Sequence, residues 1–318
     1  MSKGIFLDLD SLAAGDLDLS ALHQALPEWQ FHAATSPGQV RARLADASVV
    51  VVNKVVLDAA TLQAAPNLKL VCIIATGTNN VDLEAAARLG IVVSNVTAYA
   101  TDSVAQHVMM LILAHHTRLL DYRAAIRRGD WSRSEQFCLL DYPVRELRGM
   151  TLGIVGHGEL GRGVESLARA FGMQVLIAQR PGGEPRPGRI PLDDLLPQVD
   201  VLSLHVPLTA DTERLINADR LARMQPHALL VNTARGAVVD NPALAEALRA
   251  GVIGGAALDV LDVEPPPADH PLLAADIPNL ILTPHTAWAG RGARQNVVDQ
   301  TVANIQGFLA GEPRNRVA

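Results

Sequence analysis

Three residues of complementary chemistry lie in the second half of the chain, each directly after an apolar run of strand type. They are Arg235 in residues 231–236, Glu264 in residues 257–265 and His285 in residues 283–288. An arginine grips a carboxylate through two parallel hydrogen bonds. A histidine exchanges protons near neutral pH, and a neighbouring carboxylate stabilises its charged form and fixes its tautomer. Together they suit a reaction that adds a proton to the carbonyl oxygen of a bound acid.

Each of the three residues has a structural alternative when it is considered alone. Arg235 suits a surface cation, Glu264 an exposed acid before three prolines, and His285 a core histidine bonded to backbone. Their shared position at strand ends, after a dinucleotide-type turn, favours the functional interpretation.

The dinucleotide-type turn lies in residues 151–161, where a short apolar run is followed by Gly156, Gly158 and Gly161 in GxGxxG spacing. A helical apolar pattern follows. Gly156 allows a tight turn, Gly158 lets a pyrophosphate approach the backbone, and Gly161 lets helix and strand pack closely. The helix N-terminus attracts the phosphates. We predict that the whole turn binds a dinucleotide, including His157, Glu159 and Leu160.

The end of the next strand bears on the choice of cofactor. An NAD-specific fold places an acid there for the ribose hydroxyls, but this chain has Gln179 and Arg180. Arg180 is suited to a 2′-phosphate, with Arg186 and Arg189 nearby in a Gly/Pro loop; alternatively it is a solvated loop residue. The cofactor is therefore predicted to be NAD or NADP, with NADP(H) accepted.

The elements that must position these residues form two α/β patterns. Strands and helices alternate over the first hundred residues, with strands at 4–9, 48–52, 68–74 and 91–94 and helices at 36–44 and 83–89. Loops at strand ends hold Asn53 and, in residues 75–79, Thr76 and Gly77, as an anion site or as a plain turn. A capped helix from 101–103 to about 120 follows. The dinucleotide pattern continues with strands at 174–178, 201–204, 228–232, 254–259 and 280–282, a helix at 243–248, and a helical tail at 293–309.

Residues 121–148 are irregular, charged and spotted with aromatics. Such a segment ahead of a Rossmann pattern suits either an arm that packs on another subunit or a solvated loop. Within the preceding helix, His115 and His116 are adjacent and point to different faces, so we predict no metal site.

Composition excludes several classes of function. The net charge of −6 and 19% charged residues argue against a nucleic-acid partner. The most apolar stretch, 104–114, is too short to span a membrane. Two cysteines and an N-terminus without a signal-peptide pattern lead us to expect a cytoplasmic protein.

The sequence resembles the D-isomer-specific 2-hydroxyacid dehydrogenases, most closely the glycerate dehydrogenase/hydroxypyruvate reductase types. The resemblance is carried by residues 75–81, 95–107, 151–161, 205–209, 231–236, 254–265 and 283–285. It implies a Rossmann NAD(P)-binding domain (100–287) inserted into a discontinuous flavodoxin-like α/β substrate domain (1–99 and 288–318), with the active site between them. It also implies a homodimer held by an arm at about 121–148.

The resemblance further implies roles for individual residues. Arg235 would bind substrate, Glu264 and His285 would form the acid/base pair, and Thr76 and Gly77 would hold the substrate carboxylate, with Asn53 nearby. Trp288 replaces the small residue of many members and would narrow the pocket. The remaining residues of the cofactor cleft would be Val104, Val206, Pro207, Thr212, Thr233, Ala234 and Asp259, the last at the carboxamide.

The activity implied is NAD(P)H-dependent reduction of a small 2-keto acid, such as hydroxypyruvate or glyoxylate, to a D-2-hydroxy acid. Phosphoglycerate and phosphite dehydrogenases are alternatives within the family. The alternative from another class is a nucleotide-sensing corepressor, which shares the fold and the triad.

Overall fold

The computed structural model describes residues 2–12, 15–180 and 182–318. These residues form two compact units. The first unit contains the chain up to Ala100 together with Ala289–Ala318, and the second contains Thr101–Trp288. The strands of both sheets pair in parallel.

The first unit is built on a five-stranded sheet in flavodoxin-like order. Its strands are β1 (Lys3–Phe6), β2 (Glu28–Phe31), β3 (Val49–Val52), β4 (Leu70–Ile73) and β5 (Val92–Ser94). The order across the sheet is β2-β1-β3-β4-β5. Its helices in this part of the chain are α1 (Ser20–Gln24), α2 (Val40–Leu44), α3 (Ala59–Gln63) and α4 (Leu83–Arg88).

Local chemistry explains why these elements form. The four valines of β3 are β-branched and buried, as expected for a central strand covered on both faces. Helices α3 and α4 begin after Asp58 and Asp82, whose carboxylates accept hydrogen bonds from the backbone amides of Thr61 and Ala85. Each such cap stabilises its helix by about 1 kcal/mol.

Strand β2 was not predicted from the sequence. It pairs only with β1, and its residues alternate between exposed and half-buried because it lies at the sheet edge. The Trp29 ring covers Gly4 of β1, where a Cβ atom would lie 2.6 Å from the ring. A side chain at position 4 would therefore displace this aromatic edge.

The second unit is a six-stranded Rossmann sheet. Its strands are β6 (Thr151–Val155), β7 (Gln174–Ile177), β8 (Val201–Leu204), β9 (Leu229–Asn232), β10 (Gly255–Leu258) and β11 (Leu280–Leu282), in the order β11-β10-β9-β8-β6-β7. Its helices are α5 (Thr101–His116), α6 (Leu119–Arg127), α7 (Glu159–Ala170), α8 (Leu192–Leu195), α9 (Ala218–Leu221) and α10 (Asn241–Arg249).

The edge of this sheet departs from the common Rossmann order. An isolated parallel bridge joins Ile190 to Ala178 just beyond β7, in the place of a further strand. The chain leaves β6 toward β7 on one side and returns to β8 on the other. The carboxyl ends of β6 and β8 therefore form the switch point at which ligands of such sheets bind.

Three predictions for residues 101–148 were wrong. The helix predicted to reach about 120 ends at His116, because Arg118 takes a left-handed backbone conformation (φ 54°). The segment predicted to be irregular begins with helix α6, which runs to Arg127. Residues 101–103 form the first turn of α5 rather than a cap before it.

After the second unit the chain returns to the first as α11 (Arg291–Leu309). Asn304 of this helix donates a hydrogen bond to the backbone carbonyl of Asn95, and Arg294 forms an ion pair with Asp16. Among the residues that the structure describes, none of the helices combines the length and apolarity needed to cross a membrane.

Candidate active site

In the glycine turn after β6, two of the three glycines are packed against backbone atoms and the third lies on an open face. A Cβ atom on Gly156 (φ 94°) would lie 2.4 Å from the carbonyl oxygen of His205, and one on Gly161 would lie 2.2 Å from the oxygen of Gly156. These two positions exclude any side chain. A Cβ atom on Gly158 would meet no protein atom within 4 Å. Gly158 therefore leaves an open cradle at the N-terminus of α7.

This cradle fits the pyrophosphate of a dinucleotide. Gly158 is the N-cap of the twelve-residue helix α7, whose first amides have no partners within the helix. The carboxylate of Glu159 accepts a hydrogen bond from the hydroxyl of Thr101 at the start of α5. Its negative charge is thus engaged by a side chain, while the helix N-terminus provides the backbone donors that an anion requires.

Other residues predicted to line the cofactor cleft lie at the ends of β8 and β9 or on α5. Thr212 donates a hydrogen bond of 2.6 Å to the carbonyl of Pro207 and so closes the loop after β8. The hydroxyl of Thr233 is buried and has no hydrogen-bond partner among the described residues, so a ligand could supply one. Val104, Val206 and Ala234 are buried apolar residues.

Arg235 lies in a turn that a buried asparagine organises. Asn232, at the end of β9, is 1% exposed and accepts a hydrogen bond from the Ala234 amide. Its side-chain nitrogen donates to the carbonyl of Arg235 at 2.9 Å. Nη1 of Arg235 bonds the carbonyl of Ala234, and the side chain is otherwise exposed. The turn thus presents a guanidinium with most of its donors available.

The segment that carries Glu264 packs directly against this turn. A Cβ atom on Gly236 would lie 1.9 Å from the carbonyl carbon of Leu261, so only glycine allows the two backbones to approach. Oε1 of Glu264 accepts a hydrogen bond from the Leu261 amide, which orients the carboxylate. The segments of Arg235 and Glu264 are therefore neighbours, as expected from their positions at strand ends.

His285 forms the predicted pair with Glu264. Its Nδ1 lies 2.6 Å from Oε2 of the glutamate, and about one third of each side chain is exposed. The backbone of His285 is left-handed (φ 55°), a strained conformation for a residue with a side chain. Because Nδ1 is engaged by Glu264, Nε2 is the nitrogen of the ring that can exchange a proton with a ligand.

A buried carboxylate holds the turn that carries His285. Asp259, just after β10, is 1% exposed and accepts hydrogen bonds from the Thr283 hydroxyl and from the amides of Thr286 and Ala287. The amide of His285 bonds the Asp259 carbonyl at 2.8 Å. Asp259 thus fixes the left-handed backbone from both sides. Contact with the nicotinamide carboxamide, its role by resemblance, stays a prediction.

Trp288 belongs to the same turn. Its indole nitrogen donates to the carbonyl of His285 at 3.0 Å. This bond ties the tryptophan ring to the histidine backbone, which is compatible with the predicted role of Trp288 as a wall of the substrate pocket.

The substrate residues predicted in the first unit lie in loops that are held by side chains. Asn53, after β3, is buried, and its side chain donates to the hydroxyl of Ser11. The carbonyl of Thr76, after β4, accepts a hydrogen bond from Asn95, and the Thr76 hydroxyl donates to Val96. Both roles in substrate binding stay predictions, as does that of Gly77.

Sequence reasoning missed residues that act behind the site. Asn232 was part of a recognised segment but had no assigned role, and His107 of α5 lies 3.0 Å from the Thr283 hydroxyl through Nε2. Burial lowers the pKa of His107, although Asp259 opposes this effect. A polar residue at a fully apolar strand end was the available signal for Asn232.

Residues 109–287 match the family model described as "D-isomer specific 2-hydroxyacid dehydrogenase, NAD binding domain". This match covers more than half of the chain. The chain belongs to this family.

Similar proteins that are named by their activity match this chain over nearly its whole length. Glycerate dehydrogenase of Methylorubrum extorquens is 43% identical over 315 residues, which span 99% of this chain and 98% of the relative. Hydroxypyruvate reductase of Blautia hydrogenotrophica is 36% identical and covers 99% of each chain. A solved structure of NADPH-dependent glyoxylate/hydroxypyruvate reductase from Sinorhizobium meliloti, with NADP and malonate, is 31% identical, with a TM-score of 0.82 and coverage of 100% and 97%.

Family membership makes the second unit an NAD(P)-binding Rossmann domain and the protein an NAD(P)-dependent oxidoreductase. The histidine–glutamate pair suits this chemistry, because an imidazole held by a carboxylate can deliver a proton to a developing alkoxide. The arginine turn adds a cation that can bind a carboxylate. The predictions of the family, the fold and the cofactor class from sequence are confirmed.

Proposed function

We propose that this protein reduces hydroxypyruvate or glyoxylate to the corresponding 2-hydroxy acid with NAD(P)H, giving the D isomer where the product is chiral. The His285–Glu264 pair, on segments that pack beside the Arg235 turn, is the observation that carries the proposal. The glycerate dehydrogenase and the hydroxypyruvate reductases to which the chain is similar support this choice of substrate.

The proposed mechanism assigns one task to each side chain. Arg235 binds the substrate carboxylate and polarises the keto oxygen, while His285 donates its Nε2 proton to that oxygen as it gains charge. Glu264 stabilises the imidazolium before the transfer and fixes the ring so that Nε2 faces the substrate. The bound nicotinamide supplies the hydride. The amides of Thr76 and Gly77 contribute to binding the substrate carboxylate, and Trp288 limits substrate size.

The proposal is tested with purified protein, NADH or NADPH, and a panel of hydroxypyruvate, glyoxylate, pyruvate and 3-phosphohydroxypyruvate. We expect the largest kcat/KM for hydroxypyruvate or glyoxylate, and D-glycerate as the product from hydroxypyruvate by chiral chromatography. A preference for the phosphorylated acid would replace the proposal with a phosphoglycerate dehydrogenase. Tight dinucleotide binding without turnover of any acid would indicate a sensor protein instead.

We also propose a homodimer, formed through the second unit. An apolar groove of about 590 Å³ lies between α5 and α7. The segment predicted as an arm exposes Phe137 and Leu140 at 89% and 86%. Exposed apolar surfaces of this kind are typical of protein interfaces, and a second copy would cover both. The groove is lined by Met109, Met110, Leu113, Leu167 and Phe171, among others.

Light scattering after size exclusion tests the dimer. The wild-type protein should have twice the chain mass, and the double variant Phe137→Ser/Leu140→Ser should shift toward the monomer. Val56→Ser, at an exposed apolar position of the first unit, is the matched control and should leave the mass unchanged. A monomeric wild-type protein at micromolar concentration would contradict the proposal.

A cytoplasmic location is the remaining proposal. Cys72 is buried and Cys138 half-buried, and both are free thiols. Free thiols suit a reducing compartment. Fractionation of cells that express the full chain should recover it with cytoplasmic markers, and recovery with secreted or membrane fractions would contradict this.

A further inference from the structure

A hydrogen-bonded relay runs from helix α7 through the glycine turn to the loop beyond β7. Nε2 of His157 lies 2.5 Å from Oε2 of Glu165, and Nη2 of Arg189 lies 3.0 Å from Nδ1 of His157. The other carboxylate oxygen of Glu165 accepts a bond from Arg169. His157 holds the pKa of Glu165 below its usual range, with a further contribution from Arg169. The relay therefore contains a charged carboxylate that donors already engage.

The relay fixes the tautomer of His157. A charged carboxylate accepts, so Nε2 of His157 carries the proton that it donates to Glu165. Nδ1 is then the acceptor that receives the hydrogen bond from Nη2 of Arg189. Glu165 orients His157, and His157 in turn orients Arg189.

Arg189 is held at the place where a Rossmann fold meets the adenosine ribose. The Ile190 amide bonds the carbonyl of Ile177, and the Gln179 amide bonds the carbonyl of Ile190, so Arg189 lies at the carboxyl end of β7. In NAD-specific folds this strand end carries an acid for the ribose hydroxyls. In this chain the same strand end holds Arg189, an arginine that is bonded to His157 of the glycine turn.

Arg189 also has a donor without an acceptor. Its Nη1 is buried and makes no hydrogen bond within the described part of the chain. A buried donor that lacks a partner is unfavourable, and more so on a charged group. An oxygen of an incoming phosphate would give it the acceptor that it lacks.

Gln179 and Arg180, two and three positions after the last residue of β7, are less suited to this task. Oε1 of Gln179 accepts a bond from the Arg186 amide, and its Nε2 donates to the carbonyls of Gly183 and Glu184, so its amide closes the loop. The side chain of Arg180 folds over Gly183, where a Cβ atom would lie 3.1 Å from Arg180. Arg180 is exposed.

We propose that Arg189 binds the 2′-phosphate of NADP(H), with His157 and Glu165 as its positioning residues, and that this contact makes NADP(H) the preferred cofactor. The inference rests on the NAD(P)-binding role of the second unit and adds the residue that sets cofactor choice. A guanidinium recognises a phosphate through parallel charge-assisted hydrogen bonds, and a ribose hydroxyl offers no charge to match.

The direct test measures binding of adenosine 2′,5′-bisphosphate and of 5′-AMP by calorimetry, without substrate or turnover. The wild-type protein should bind the bisphosphate more tightly. Arg189→Gln should weaken the bisphosphate about 10- to 100-fold and AMP less than about 2-fold, because one charge-assisted contact is lost. His157→Phe and Glu165→Gln should act in the same direction by smaller factors, since they disturb only the orientation of Arg189.

Kinetics supply the second readout and the control. The ratio of kcat/KM with NADPH to that with NADH should fall in Arg189→Gln, with the NADH value retained. Arg186→Gln, in the same loop, is the matched control and should leave the ratio nearly unchanged. Equal losses for both cofactors, or a change of ratio in Arg180→Gln with none in Arg189→Gln, would overturn the inference.

These outcomes separate the inference from the proposed function. Bisphosphate binding that depends on Arg189, in a protein that reduces no keto acid, would retain the inference and refute the reductase. A reductase that discriminates against NADPH would refute the inference and retain the proposed function.

Discussion

Nδ1 of His285 lies 2.6 Å from Oε2 of Glu264, although 21 positions separate the two residues in the chain. The left-handed backbone of His285 and the bond from the Leu261 amide to Oε1 of Glu264 hold the pair from both sides. This arrangement gives the histidine one defined orientation, with Nε2 directed away from the carboxylate.

His285→Ala should lower kcat by about two to four orders of magnitude, because the variant lacks the proton donor. The dissociation constant of the cofactor, measured by nicotinamide fluorescence, should change little. His227→Ala is the matched control, since His227 lies 2.7 Å from Asp200 in a similar pair of the same unit. Near-normal turnover in His285→Ala would remove this residue from the mechanism.

Arg235→Lys should raise KM for the keto acid and lower kcat, together by about 100-fold in kcat/KM. A lysine ammonium cannot reproduce the two parallel bonds of a guanidinium. Arg249→Lys, a surface position paired with Asp276, should leave both constants unchanged. Steady-state kinetics with hydroxypyruvate measure both effects, and an unchanged kcat/KM in Arg235→Lys would mean that other residues hold the substrate.

Asp259→Asn should destabilise the second unit by about 2 kcal/mol or more and lower kcat as well. The asparagine has one acceptor oxygen where the carboxylate serves three donors, so a buried group is left unpaired. The released turn carries His285. Thermal unfolding and kcat are measured on the same sample. Asp240→Asn, which retains a helix cap, should change neither, and a normal Tm for Asp259→Asn would contradict the anchoring role.

Acid should destabilise the second unit through His116. Burial lowers the pKa of His116 from 6.5 to about 4, with a contribution from His115. Between these values the unfolded chain binds the proton and the folded chain does not. The stability is therefore complete above about pH 6.5 and falls toward pH 4, by about 3 kcal/mol in total for this group.

Tm measured from pH 7.5 to pH 5 checks this linkage. Burial also lowers the pKa of His115 and of His205 to about 4, so His116→Leu removes one of several titrating groups and should reduce the dependence. Little change is expected at pH 7.5, because Nε2 of His116 makes no hydrogen bond in the described structure. Parallel curves for the variant and the wild type would show that other groups cause the acid sensitivity.

The sequence predicted the elements whose patterns are local. Strands β8 and β11 were placed to the residue. The Gly156–Gly161 turn was found from its GxGxxG spacing, in which Gly156 and Gly161 meet steric demands and Gly158 leaves the open face. The edge strand β2 escaped because four alternating residues carry little signal without their partner strand. The break at Arg118 has no glycine or proline to mark it; contacts with Asp121 and Asn279 accompany it.

In the candidate site, too, residues with a local sequence pattern were predicted and roles that depend on tertiary partners were not. Arg235, Glu264 and His285 could be proposed because each follows an apolar run and has a chemistry that stands out. The function of Asn232 and Asp259 in holding two turns depends on backbone amides that approach only in the folded chain. A polar residue at a strand end can be singled out from the sequence, but the backbone groups that it binds are defined only by the folded chain.

The bridge at Ile190 has a consequence for how such a protein changes over evolutionary time. Because a single residue replaces a full strand beyond β7, the segment before Ile190 can lengthen, shorten or exchange charges without altering the register of the sheet. The proposed catalytic pair, Glu264 and His285, depends instead on β10 and β11. Mutations in this segment can therefore change the preference of the enzyme between NADH and NADPH, while the residues proposed to act on the keto acid stay the same.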